Sequence, residues 1–293
     1  YGEARHEAAR ELMGLWVDWL HAENAYTLAV RNTQATQESL AAVDKRVRAG
    51  DASKLDLNLA RAELADQRRL ENDAKTQAAT AWARLSTRFP GVTRQPQALP
   101  APLPLGEEAA FWRERILAQS DEFKLAQMQL MVDQAHAERA RQDRIPDPTL
   151  GVQTASEIGG RERLAGVTIS MPIPGGQRHA RSAKAMAAVE VSRRELEYRQ
   201  RQLETNIAGA VATAQGAYDS LQIANEGTVA MQQNAALMQR AYTLGEAELQ
   251  ALLQARRQAN TAMSSALQAQ ATALKAYYAL LVDAHLIWDL EHD

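Results

Sequence analysis

The sequence predicts a mainly α protein made of long antiparallel coiled-coil helical hairpins, with one β-hairpin between them. Three observations predict it. Aromatic residues make up only 5% of the 293, with three Phe, while Ala, Gln, Arg, Glu and Leu dominate, a composition of long helices. Apolar residues recur at steps of three and four over long stretches. Gly and Pro gather in a few short segments and leave the runs between them unbroken.

Residues 3–89 contain no Pro, and their only glycines are Gly14 and Gly50, so residues 1–89 read as a first helical hairpin with its tip near 50. Residues 90–106 are rich in Pro and cannot be regular helix, because Pro lacks a donor and restricts its predecessor. They read as a linker. Residues 107–144 return to a helical pattern. In 145–176, Leu150, Val152 and Thr154 alternate with Gly151 and Gln153, and Val167, Ile169, Met171 and Ile173 alternate with Thr168, Ser170 and Pro172. Gly159, Gly160 and the charges Arg161, Glu162 and Arg163 mark a turn between them. This is a β-hairpin, and a lone hairpin is marginal in water, so its apolar face needs strands, subunits or lipid.

Residues 177–293 read as a second helical hairpin with its tip near 245. Leu196, Leu203, Ile207, Val211, Ala214, Tyr218 and Leu221 step by 7, 4, 4, 3, 4 and 3. The return stretch carries Met263, Leu267, Leu274, Tyr278 and Leu281. This rhythm specifies knobs-into-holes packing. A helix of roughly 65 residues is on the order of 100 Å long, far beyond the usual globular helix.

Several functions are excluded or weakened. With 33 Lys+Arg against 36 Asp+Glu, the net charge of -3 gives no basic surplus for nucleic acid. There are no cysteines, so disulfides, thiolate metal sites and cysteine nucleophiles are out. No phosphate-binding glycine loop, G-x-S-x-G or HExxH occurs, and an enzyme is not expected. No cofactor is implied. No apolar run approaches the roughly 20 residues of a membrane helix. The opening YGEARHEAARELMGLW has no basic region followed by an apolar core, and a targeting segment is expected upstream of Tyr1.

His285, Asp289 and His292 are spaced by 4 and 3. On a helix they share a face able to hold a transition metal. The competing reading is a solvated helix end where His complements the dipole. Met231, Met238 and Met263 read as fillers of helix seams, and the tryptophans Trp16, Trp19, Trp82, Trp112 and Trp288 as packing anchors.

A weak repeat appears at an offset of 195 residues, aligning 46–64 with 241–259 and Gly50 with Gly245. In each copy a long helix reaches a Gly, turns, and restarts with polar residues before the apolar rhythm resumes. Glycine takes the left-handed conformation that ends a helix, and Asp51, Ser53, Glu246 and Glu248 suit the start of the next. Two such hairpins, with a β-hairpin before the second, resemble the TolC family of outer-membrane efflux ducts. The run 144–185, RIPDPTLGVQTASEIGGRERLAGVTISMPIPGGQRHARSAKA, is similar to the strand–loop–strand and helix start of its CzcC-like, heavy-metal branch.

The resemblance implies a homotrimer in the outer membrane and periplasm of a Gram-negative bacterium. Each protomer gives strands to an outer-membrane β-barrel and long helices to a periplasmic α-barrel, with residues 90–106 in an equatorial belt. Arg161 to Arg163 then belong to the extracellular loop. The helical tips (Ala49, Gly50, Asp51, Ala52, Leu244, Gly245, Glu246 and Ala247) match the segment that docks a periplasmic adaptor, itself coupled to an inner-membrane pump. Asp51 and Glu246, tripled by symmetry, are candidates for a carboxylate ring that attracts cations at the pore entrance; the other reading is that they cap the return helices. Two departures accompany the resemblance. The offset of 195 puts the partner of the β-hairpin upstream of residue 1, so three copies of this chain supply six strands where the family uses twelve. Residues 145–176 also hold no Phe, Tyr or Trp, unlike the aromatic girdles usual in membrane barrels. The reading from another class is a soluble coiled-coil scaffold.

Overall fold

The computed structural model describes residues 2–145, 147–157, 159, 161–171 and 175–287. Helices α1 (Gly2–Ala49), α2 (Lys54–Arg88), α3 (Ala109–Gln119) and α4 (Asp121–Gln142) precede strands β1 (Thr149–Glu157) and β2 (Glu162–Ser170), and α5 (Gly176–Leu244) and α6 (Leu249–Asp283) follow. The chain divides into one unit of residues 1–119 and 206–293, and a second of residues 120–205.

In the first unit α1 packs along α2 and, on another side, along α6. The face of α5 that carries Ile207, Ala214 and Leu221 is buried. Thr228 on that helix donates to the Ala262 carbonyl at 3.0 Å, and Arg256 on α6 reaches Gln239 at 2.6 Å. The main core joins Val17, Trp19 and Leu20 of α1 to Leu85 of α2, Leu99 and the α6 residues Ala271 and Leu274. Each large side chain buried this way contributes about 2 kcal/mol. The Trp19 and Trp82 rings meet at 5.0 Å between centroids.

Residues 90–106 hold no regular element but are strapped down at several points. Asn24 donates to the Gln97 carbonyl at 2.9 Å. Gln270 donates to the Leu99 and Pro100 carbonyls at 2.8 and 2.9 Å. Arg94 binds the carboxylate of buried Glu23 at 2.6 Å, which also accepts from Trp19 Nε1 at 3.0 Å. A segment without ladders thereby satisfies its backbone through side chains.

The helix expected over 107–144 is two helices. Ser120 takes an extended conformation and its hydroxyl accepts from Phe123 N–H, capping α4. Asp121 and Glu122 in the first turn and Arg139 and Arg141 in the last complement the dipole. In the second unit, polar bonds pin α4 to the start of α5. Arg199 pairs with Glu122 and Ser192 with Asp133, and Arg178 donates to the Asp143 carbonyl at 2.7 Å. The hydrogen bond from Ser192 holds the Asp133 carboxyl below its ordinary value.

Strands β1 and β2 pair antiparallel, with Leu150 opposite Ile169 and Val152 opposite Val167. The expected turn is shorter than its charges suggested. Glu162 and Arg163 already belong to the ladder, opposite Glu157 and Ser156. Gly160, Pro172 and Ile173 lie outside the described residues.

Candidate functional site

Two features carry the functional reading: the pair of helix tips in the first unit, and the β-hairpin in the second. At the first tip α1 ends at Ala49 and Gly50 adopts φ +85°. Gly50 N–H bonds the Val47 carbonyl at 3.1 Å and Asp51 N–H the Arg46 carbonyl at 2.8 Å. At the second, α5 ends at Leu244 and Gly245 adopts φ +77°. Gly245 bonds the Tyr242 carbonyl at 3.1 Å and Glu246 the Ala241 carbonyl at 2.9 Å. Both are Schellman turns, in which only glycine takes the left-handed position without strain. The weak sequence repeat therefore encodes one backbone device used twice.

The return helices start differently. Ser53 caps α2 in a capping box, accepting from Asp56 N–H at 3.0 Å while Asp56 accepts from Ser53 N–H at 3.0 Å. Glu248 holds the N-cap position of α6 without a side-chain bond. Asp51 and Glu246 sit two residues before these caps, so the capping reading of the two carboxylates fails. Both are exposed, and neither makes an ion pair among the described residues. Ala52 and Ala247 are half-buried beside them, while Ala49 and Leu244 are exposed.

Behind the turns the tips are joined by an apolar cluster of Val43, Ala60, Leu249, Leu252 and Leu253, with Met238 and Tyr242 against it. Met238 is thus a seam filler. The Arg46 guanidinium lies 4.9 Å from the Tyr242 ring centroid, a cation–π contact across the two tips. Farther up, Glu63 is 4% exposed and accepts from Gln67 at 3.0 Å and from Arg257 Nε at 2.6 Å. Burial lowers the pKa of neighbouring Arg256, with Glu63 opposing the shift. Glu63 and Arg256 line a cavity of about 240 Å³ with Asn32, Thr36, Gln232 and Asn260. Sequence reasoning missed Glu23 and Glu63, because their cationic partners lie 71 and 194 residues away and no local spacing links them.

The proposed metal face is not formed at His285. Helix α6 ends at Asp283, and His285 follows with φ +51°, so the helical spacing on which that reading depended is lost there. Asp289, His292 and Trp288 lie outside the described residues. His285 instead faces His6, with ring centroids 5.5 Å apart. Among the described residues no cluster of three His, Cys, Asp or Glu is arranged to hold a metal.

The β-hairpin has one apolar and one mostly polar face. Leu150, Val152, Val167 and Ile169 lie together on one side and are 68–76% exposed. Thr149, Gly151, Gln153, Thr168 and Ser170 lie on the other. Strands of nine residues that alternate in this way match membrane-spanning β-strands in length and pattern. Among the described residues no helix is long and apolar enough to cross a membrane.

The profile of the outer membrane efflux protein family matches residues 112–282, more than half of the sequence. The chain belongs to this family. Members are transport ducts, not enzymes. The outer-membrane channel OprN matches 98% of this chain and 68% of its own, at 19% identity and a TM-score of 0.70. The Campylobacter jejuni CmeC outer membrane channel matches 100% and 65%, at 14% identity and a TM-score of 0.69. The open state of the Neisseria gonorrhoeae MtrE outer membrane channel matches 95% and 66%, at 20% identity and a TM-score of 0.70. No curated protein sequence matches the chain. The chain spans about two thirds of these channels' length, and at such identities the likeness establishes the fold alone, mainly helical with a β-hairpin among the described residues.

Proposed function

We propose that this protein is the exit duct of a tripartite efflux system for heavy-metal cations, working as a homotrimer in the outer membrane and periplasm. It catalyses nothing; an inner-membrane pump supplies the energy and a periplasmic adaptor docks on the helix tips. The observation that carries the reading is the β-hairpin, whose apolar side chains on one face find no cover within the hairpin and suit lipid. The tips add support. They are two copies of one rigid turn, flanked by the exposed Leu55 and Leu244, a surface suited to a helical hairpin of the adaptor. The carboxylates of Asp51 and Glu246, free of capping duty, suit a ring that concentrates cations at the entrance. The heavy-metal assignment draws on the likeness of residues 144–185 to the CzcC-like branch.

Light scattering in plain buffer and in mild detergent tests the duct. A trimer that needs detergent is expected, whereas a monomer in both favours the scaffold reading. Val152→Lys with Val167→Lys puts two charges on the lipid face, at about 2–4 kcal/mol each near the bilayer midplane. Loss of membrane association and of zinc, cobalt or cadmium tolerance in a complemented deletion strain is expected. Full tolerance with both lysines in place sinks the proposal.

A further inference from the structure

The cavity above the tips is lined by polar groups that the fold leaves unused. It lies within the first unit, among α1, α2, α5 and α6, and measures about 240 Å³, room for about eight waters. Three amide side chains line it: Asn32 of α1, Gln232 of α5 and Asn260 of α6. None of the three makes a side-chain hydrogen bond among the described residues. Asn32 and Asn260 are half-buried, where an amide without a partner is costly.

The charges around the cavity leave one cation over. Glu63 is 4% exposed, and both of its oxygens are taken, Oε1 accepting from Gln67 and Oε2 from Arg257. Arg257 thereby matches its charge. Asp66 approaches Arg257 at 4.0 Å but is exposed, so water and salt screen it. Arg256 remains. It donates to the Gln239 side-chain oxygen at 2.6 Å, one hydrogen bond of the five that a guanidinium can give. No carboxylate pairs with it among the described residues. Burial disfavours its charged form, and an anion placed against it would oppose that shift.

These groups narrow the occupant. A cation finds no free carboxylate, because Glu63 is already bonded at both oxygens. A wholly apolar molecule would leave the guanidinium and the amides unmet. A bare inorganic anion would answer Arg256 but could donate little to the amide oxygens. A carboxylate that also carries hydroxyls answers both. A guanidinium grips a carboxylate through paired N–H bonds, and amides donate to and accept from hydroxyls.

We propose that this cavity binds a small hydroxycarboxylate, with Arg256 holding the carboxylate and Asn32, Gln232 and Asn260 the hydroxyls. The bound molecule then bridges α1, α5 and α6, and so ties the two helical hairpins of one chain together. The site is built within a single chain and does not rest on the duct reading.

Calorimetric titration of the full chain with glycerate, in mild detergent, tests the site. Saturable binding is expected, about tenfold tighter than for propionate, which lacks hydroxyls, and undetectable for glycerol, which lacks the charge. Arg256→Gln should weaken it by about tenfold or more, and Asn260→Ala by about threefold. A second polar cavity, lined by Tyr26, Arg68, Glu71 and Lys75 among others, supplies the control. Its two cations are exposed on α2, and Arg68→Ala with Lys75→Ala should leave the affinity unchanged. Amide exchange on the parent protein locates the site without any variant, and glycerate should slow exchange around 232, 256 and 260. Protection confined to 68–75, full affinity in Arg256→Gln, or no saturation up to about 10 mM overturns the proposal. Phosphate binding as tightly as glycerate also overturns it, since hydroxyls would then count for nothing. Each of these failures leaves the duct reading standing.

Discussion

One chemical change, glycine to alanine, should act with opposite signs inside α5 and just past its end. At Gly245 the backbone sits at φ +77°. A Cβ there meets nothing within 4 Å, and the same holds at Gly209. Sterics with neighbours therefore cancel from the comparison and only the backbone speaks. At Gly245 an L-residue costs about 1–2 kcal/mol in the left-handed region, offset by about 0.4–1 kcal/mol from a stiffer unfolded chain. The net is a loss of about 1 kcal/mol. Gly209 lies inside α5, where Ala is better than Gly by about 1 kcal/mol. The two variants should then differ by about 2 kcal/mol, with Gly245→Asn milder than Gly245→Ala because Asn tolerates the left-handed position. Amide hydrogen exchange resolves this residue by residue, so it does not depend on the two units unfolding together. The Asp51 and Glu246 amides report their own turns, and the helix amides around 209 report the gain. A Gly245→Ala variant as protected as the parent would refute the Schellman geometry. A loss above about 4 kcal/mol would mean that the turn carries a contact beyond its backbone.

Two further outcomes follow from local chemistry. Ser53→Ala removes the two bonds of the Ser53 hydroxyl, one accepted from Asp56 N–H in the capping box and one donated to the Asp56 carboxylate, and should cost about 1 kcal/mol, read as faster exchange in the first turn of α2; Glu248→Ala, which loses no cap bond, should leave α6 nearly unchanged. Burial holds the His21 imidazole below its ordinary value, with Asp18 opposing and Lys275 adding to the shift. On acidification the unfolded chain takes up this proton first, so stability is full above the ordinary histidine range and is lost as pH falls toward the folded pKa. His21→Gln should flatten that part of a melting-temperature profile between about pH 7.5 and 5, and an unchanged slope would refute the assignment.

The legible parts of this fold were those written in local spacing. The apolar seam of α5 reads directly from its steps of three and four, and Ile207, Ala214 and Leu221 are buried as that seam requires. The tips were legible because a left-handed residue must be glycine in practice, so Gly50 and Gly245 mark the same turn 195 residues apart. The break at Ser120 was readable in principle: a serine followed by two acids is a helix start, but the helical pattern on both sides masked it. The loss of helix at His285 had no comparable signal, since neither Gly nor Pro stands there. The strap over residues 90–106 was illegible because it depends on Asn24, Gln270 and Arg94 reaching backbone and carboxylate groups across the fold.

The buried carboxylates explain how seams so rich in alanine hold one register. A helix pair packed by small residues can slide by a heptad, about 10 Å, and still bury similar apolar area. Glu63 resists such a slide. It is almost fully buried against Gln67 and Arg257, and a slipped α6 would carry Arg257 away and strand the charge. Two variants separate this role from simple stabilisation. Arg257→Ala should cost about 3 kcal/mol or more, because it leaves Glu63 buried and unpaired. Arg257→Leu combined with Glu63→Leu should cost little or even stabilise, as apolar replacements of buried pairs often do, yet it should admit more than one pairing of α6 with α1 and α2. Cysteine cross-links placed at native and one-heptad-shifted positions would then both form in the double variant and only the native one in the parent. If the double variant kept a single register, alanine packing alone would suffice, and Glu63 would be a stabilising contact without a part in register.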